Sequence, residues 1–434
     1  MKAGHWNFNR TRLVPAILLP TLILACASSQ KITSPKPLEI PADIAGIVHA
    51  GQTNTPEEYA LLESLGAAWT LATFYWSRIE PSDNQWYFDD YDKFVDTAKA
   101  SGKKVLGVLG YDVSWIHDDG TSHYYIPPEK ADFFLDFVRK TTEHFQGRVD
   151  AWSIWNEPNA SHFWKGGKED FFYLSRLAAN AVREVDPDAA LMGGAFTRGI
   201  FGLQKAFIRG LFESGAMEKT DAVAFHPYEI NPSRALKLYG KFRALAAEYG
   251  FADRIWITEV GYPTGGWYPT AAAEKKFPAY VVKTFVYLAA SGANRIFWYQ
   301  LFDPAQRKKI NSEDYFGLVR SENDYTSKGA EAFRLCAVYL AGTVYRPDLP
   351  LREKLPHSLQ AFYFEQPDGS GGALALWKEG IPTQVKLQSG NNVFTAHDPV
   401  TGAASEIFDG KAIKVGTSPV FITWQGDYQL RLAK

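Results

Sequence analysis

The chain of 434 residues is 46% hydrophobic and 22% charged, enough apolar material for a large core and far from a disordered or collagen-like composition. Lys and Arg number 46 against 48 Asp and Glu, a net charge of −2, and with no basic tract this argues against nucleic acid as a partner. Aromatics make up 15% of the residues, and flat apolar rings suit either a Phe-rich core or the faces of sugars.

In chain order, residues 1–25 carry Lys2, Arg10 and Arg12 and no acid, then the apolar run Leu13 to Ala25. That order of charge and hydrocarbon reads as an export signal, too short to cross a bilayer comfortably. It ends Ile23-Leu24-Ala25-Cys26-Ala27-Ser28-Ser29, which resembles a bacterial lipobox and makes Cys26 the expected site of lipidation. An ordinary cleaved signal with an incidental cysteine is the alternative. The resemblance implies an exported protein tethered to the bacterial cell envelope, in the outer membrane or facing the periplasm, with residues 26–42 as a spacer rich in Pro, Ser and Lys. Cys336 is the other cysteine and sits in an apolar helical pattern, so a buried thiol is expected.

From residue 43 to 345, short apolar runs alternate with amphipathic segments. The runs start near Ile44, Trp69, Val105, Asp150, Ala190, Ala222, Ile255 and Arg295, with intervals long enough for a strand, a helix and two loops. Thr55, Pro56 and Glu58 form a helix start, Leu61, Leu62 and Leu65 its buried face, and Gly66 its end. Pro128 to Phe145 repeats the pattern with Phe134, Phe137 and Val138 on one stripe. Eight such units predict an α/β fold, a (β/α)8 TIM barrel. A doubly wound sheet is the rival, but neither nucleotide-binding glycine motif is present. Residues 346–434 change to period-two runs separated by Asp-Gly and Gly-Asn turns, which predicts a small C-terminal β-sandwich.

In a barrel of this kind the chemistry belongs at the C-terminal ends of the strands. The fourth run ends Trp155-Asn156-Glu157-Pro158 and the seventh ends Glu259-Val260-Gly261-Tyr262, two glutamates in aromatic surroundings. A pair of carboxyl groups across a barrel mouth can hydrolyse a glycosidic bond, one giving a proton to the leaving oxygen while the other attacks or activates water. Strand-end residues paired for stability alone are the plain alternative. No zinc-ligand spacing links His117, His123, His144 and His162, and no G-x-S-x-G elbow occurs, so neither a metal nor another cofactor is expected.

These segments, together with Trp76-Ser77-Arg78-Ile79-Glu80-Pro81, His226-Pro227-Tyr228 and Arg295 to Asp303, resemble glycoside hydrolase clan A, and within it family 39 and its exopolysaccharide-degrading endoglycosidase branch. The resemblance covers about Gly46 to Val344. It implies a retaining hydrolase with Glu157 as acid/base, Glu259 as nucleophile, and Asn156 as donor to the hydroxyl beside the reacting carbon. It also implies His226 and Tyr228 as positioning groups and Trp298 as the platform under the sugar. A core histidine and a core tryptophan are the alternatives for His226 and Trp298. A tyrosine against Glu259 would keep it ionised and so lower its pKa relative to Glu157. The family's strand-2 arginine is missing from Trp69 to Tyr75, and His49 at the end of strand 1 is a candidate helper. Among loop aromatics that could line a cleft, Tyr111, Trp115, Phe163, Trp267, Tyr268 and above all Trp164 stand near the strand ends. The expected substrate is a polysaccharide or oligosaccharide cleaved internally. An exo-acting xylosidase-like or arabinofuranosidase-like enzyme and a catalytically silent glycan-binding barrel are the rivals.

Overall fold

Every second side chain of a strand shares one face, so a strand buried on both faces must be apolar throughout. Eight segments are apolar over most of their length. In the computed structural model they close into a parallel barrel: β1 (Ala45–Val48), β2 (Trp69–Tyr75), β3 (Lys104–Gly110), β4 (Ala151–Ile154), β5 (Ala190–Thr197), β6 (Ala222–His226), β7 (Ile255–Val260) and β8 (Arg295–Trp298). The structure describes residues 36–48, 54–199, 202–266, 270–304, 310–321, 323–347, 358–388, 393–408, 410–426 and 431–433. The predicted export signal, Cys26, His49, Trp267 and Tyr268 lie outside the described residues. No helix among the described residues is long and apolar enough to cross a membrane.

The barrel is filled, not hollow. Val48, Trp69, Leu71, Leu106, Trp256 and Phe297 are among the side chains that pack inside it. Trp69 and Trp256 meet edge to face at 5.2 Å. Outside, the helices bury the opposite strand faces. The first, Pro56–Ser64, starts as its sequence dictates: Thr55 accepts from the Glu58 amide at 3.3 Å with Pro56 at the first position. Gly66, at φ +69°, leaves that helix in the left-handed region that glycine adopts without a steric penalty. In the helix Ala131–His144, Phe134, Phe137 and Val138 are fully buried, as the stripe required.

The C-terminal segment forms two antiparallel sheets. Tyr363, Leu374, Ile422 and Trp424 of the larger sheet pack with Val385, Leu387 and Val415 of the smaller, closing a sandwich core. The alternate residues of the same strands, Phe362, Phe364, Ala375 and Trp377, point the other way into the barrel's outer core. Tyr287 of the helix Thr270–Ala289 meets Trp377 at 5.3 Å, and Lys283 of that helix pairs with Glu379 at 2.7 Å. One sheet therefore serves two cores.

The expected spacer is shorter than the 26–42 assignment. Leu38–Glu39 is an edge strand of the larger sheet, paired with Val344 and Tyr345, and Ile40 is buried. Two residues are too few to show a period, so the pairing is decided by the partner strand Val344–Arg346. Cys336 is a buried free thiol whose pKa burial pushes up.

Candidate active site

The chain crosses from β4 into the next loop on a contorted backbone. Trp155 and Glu157 adopt φ of +63° and +45°, and Ala195 on the neighbouring strand +40°. Such conformations cost about 1–3 kcal/mol each for residues other than glycine, and surrounding contacts must hold them. Here the Glu157 amide donates to the Ala195 carbonyl at 3.0 Å. Asn159 exchanges two hydrogen bonds with the Thr197 backbone at 2.7 and 3.0 Å, and the Trp155 indole donates to the Phe163 carbonyl at 3.0 Å. The register between β5 and β6 shifts between Gly193 and Phe196. The strained turn thus aims Glu157 into the barrel mouth.

Glu259 enters from β7, whose register against β8 also shifts, between Ile257 and Val260. The irregularity lets two successive residues, Thr258 and Glu259, both reach the cavity. Gly261 then passes so close to the next strand end that a Cβ would lie 2.2 Å from the Tyr299 carbonyl, so only glycine fits.

Between the glutamates stands His226, at the end of β6. Its Nδ1 lies 2.8 Å from Glu157 Oε1 and 3.7 Å from Glu259 Oε2, while Nε2 lies 2.9 Å from the Thr258 hydroxyl. Burial opposes a charged imidazole, but the carboxylates of Glu259 and Glu157 together outweigh it and raise the His226 pKa. The Tyr228 hydroxyl donates to Glu259 Oε2 at 2.8 Å. One oxygen from each glutamate and the His226 nitrogen all fall within 4.8 Å of one another.

Burial raises the Glu259 pKa to about 6, with Glu157 and Glu313 adding to it and His226 and the Tyr228 hydrogen bond working against it. Tyr228 acts in the expected direction, but the net pKa of Glu259 is raised rather than lowered. Desolvation is the larger effect, and Tyr228 only limits it.

A cavity of about 590 Å³ opens above these groups. Asn156 lines it beside Tyr111, and Phe163, Tyr299 and Phe316 add aromatic surface. Tyr111 stacks on Phe163 with centroids 5.8 Å apart. Glu157, His226, Glu259, Tyr228 and Asn156 are thus brought together as the motifs implied.

Other assignments are corrected. Trp298 is fully buried and does not line the cavity. On β8, Phe297 faces the barrel interior, so alternation turns Trp298 outward among Tyr262, Phe277 and Phe285, and the next residue, Tyr299, faces the cavity. Trp164 is also buried, set edge to face against Trp155 and Phe171, with its indole donating to the Gly167 carbonyl at 2.9 Å. It anchors the loop. Trp115 donates to the Glu80 carbonyl and packs against Trp76. The Trp76-to-Pro81 motif is structural too: the Glu80 carboxylate accepts from the Trp76 indole at 2.7 Å and from the Asn84 amide at 2.9 Å.

Arg78 leans over the Tyr75 ring and does not line the cavity, whereas Tyr228 and His226, at the end of β6, are the groups that approach Glu259. Thr258, Tyr299, Phe316 and Glu313 were not singled out in the sequence. Thr258 directly precedes Glu259, a signal that was available. The others sit on the connection after β8, where no periodicity points to them. Glu157, His226 and Glu259 are also the one set among the described residues close enough to hold a cation between them. Each is already hydrogen-bonded to a neighbour, and the set reads as a proton-sharing network.

Comparison with known proteins agrees on the architecture. A family 39 glycoside hydrolase from Bacteroides cellulosilyticus superposes with a TM-score of 0.73 over 89% of this chain and 81% of its own, at 19% identity. The chain has the fold of a family 39 glycoside hydrolase. A β-xylosidase from Geobacillus stearothermophilus is 35% identical over 81 residues, 17% of this chain and 16% of that protein. Endo-1,4-β-xylanase A from Phanerodontia chrysosporium is 23% identical over 198 residues, 43% of this chain and 46% of its own. The chain therefore matches less than half the length of either curated relative. No protein-family model matches the chain.

Proposed function

We propose that this protein is a retaining glycoside hydrolase that cleaves a polysaccharide internally. The observation that carries the reading is the approach of Glu157 and Glu259 to within 4.8 Å in one aromatic-lined cavity at the strand ends. Double displacement needs carboxyl groups about 5–5.5 Å apart, whereas a mechanism that seats water between them needs about 6.5–9.5 Å. Glu259 attacks the anomeric carbon. Glu157 protonates the departing oxygen, then takes the proton from the water that releases the sugar. His226 bridges both carboxylates and can follow the proton's movement, with Thr258 fixing its ring. Asn156 supplies a neutral donor that stabilises developing charge without competing for the proton.

The likeness of parts of the chain to a β-xylosidase and a xylanase supports a xylan as the first candidate substrate to test. Reducing-end release by protein lacking residues 1–26 tests the reading against xylans, other β-glycans, arabinans and bacterial exopolysaccharide. Release abolished in both Glu157→Gln and Glu259→Gln supports it, and full activity in either overturns the assignment. Mixed oligosaccharide lengths early in the reaction mark internal cleavage, and monosaccharide alone marks an exo-enzyme. We propose further that the chain is exported and lipid-anchored through Cys26 in the cell envelope. Incorporation of labelled palmitate by the full chain in a bacterial host, lost in Cys26→Ser, is the expected result.

A further inference from the structure

A third carboxylate faces the cavity. Glu313 lies in a 3-10 turn, Ser312–Tyr315, on the long connection that leaves β8. The turn is fastened from two sides. Thr264 donates to the Tyr315 carbonyl through its amide and its hydroxyl, at 3.0 and 3.1 Å. Behind it, Lys328 donates to the same carbonyl at 3.3 Å and forms a buried ion pair with Asp303 at 2.8 Å. Asp303 in turn accepts from the Gly317 amide at 2.7 Å. Glu313 is therefore presented on a rigid support.

Its neighbour Asp314 accepts from Asn311 at 2.8 Å. The Glu313 carboxylate, by contrast, has no hydrogen bond or ion pair among the described residues. Burial, then Glu157 and Asp314, raises its pKa, with His162 working the other way. No lysine or arginine among the described residues lines the cavity, which holds Glu157, Glu259 and Glu313 against two histidines. A carboxylate brought in by a ligand would meet three glutamates, with no lysine or arginine among the described residues to receive it, in a partly desolvated space where charges are weakly screened.

We propose that Glu313 makes the cleft a charge filter, which admits glycans that are uncharged or carry a free amine and refuses glycans carrying a uronate at the sugar-binding positions. An ammonium or a hydroxyl can donate to the Glu313 carboxylate, and the carboxylate of a uronate cannot. This deepens the hydrolase reading and rests on the same cavity.

The test takes a neutral hexose glycan that the protein binds or cleaves and compares three forms: unmodified, oxidised at the primary alcohol to the uronate, and converted there to the primary amine. Both kcat/KM and calorimetric Kd are measured for wild type and for Glu313→Gln, an isosteric change whose folding is checked by its unfolding temperature. Wild type is expected to lose at least about tenfold on the oxidised form. The variant narrows that gap and loses any advantage of the amine form. Equal discrimination in both proteins, or preference for the uronate, overturns the filter while leaving hydrolysis standing. Absence of turnover with the same order of binding affinities counts against hydrolysis and supports the filter. A protein that binds none of the glycans overturns both.

Discussion

Replacing Tyr228 with Phe removes one hydroxyl, and with it the 2.8 Å hydrogen bond to Glu259 Oε2. That bond favours the ionised carboxylate, against a burial that has already raised the Glu259 pKa to about 6. A hydrogen bond to a charged group is worth about 1.5–3 kcal/mol, and one pKa unit corresponds to about 1.4 kcal/mol, so the loss raises Glu259 by roughly one to two units. A nucleophile must be ionised, so the acidic limb of kcat/KM moves from near pH 6 towards pH 7–8. An aryl glycoside with a good leaving group is the right substrate. Its departure needs little help from Glu157, and the limb then reports Glu259 alone. At pH 6 the variant falls roughly 5- to 50-fold, and well above pH 8 it recovers most of its rate. A limb that stays where it was, with a uniform drop at every pH, would refute the argument that Tyr228 acts through the charge of Glu259.

Three further outcomes follow from other contacts. Glu259→Gln should stabilise the fold at pH 7.5 by up to about 2 kcal/mol, because a carboxyl with a raised native pKa is costly when ionised. The sign requires this gain to shrink as pH falls through about 6 and to vanish below the unfolded carboxyl pKa, which denaturant titrations at pH 7.5 and 4 would show. Trp298→Ala should cost about 3–5 kcal/mol through a core cavity, whereas Tyr299→Ala, at the cavity wall, should weaken substrate binding more than stability. Unfolding temperatures and KM separate the two. Lys328→Met leaves Asp303 charged and buried, a loss of about 3–5 kcal/mol, so its thermal midpoint should fall by roughly 3–6 °C.

Local physics made much of this molecule legible. The eight apolar runs became the eight barrel strands, because a strand buried on both faces has to be apolar along its length. Thr55, Pro56 and Gly66 bounded a helix through capping chemistry that needs no distant partner. Glu157 and Glu259 could be placed at the mouth because parallel barrels gather their strand ends on one side. Folding decided what depends on register and on neighbours far along the chain. Near the end of β8, one position of alternation separates Trp298, lost in the outer core, from Tyr299, facing the cavity. Leu38–Glu39 became a strand only because Val344–Arg346 offered an edge. The Glu259 pKa was set by the balance of burial against Tyr228 and His226, groups that only the closed barrel brings together. Glu313 joined the cleft through Thr264, Asp303 and Lys328, residues dispersed along the chain, and no pattern within its own segment could have placed it there.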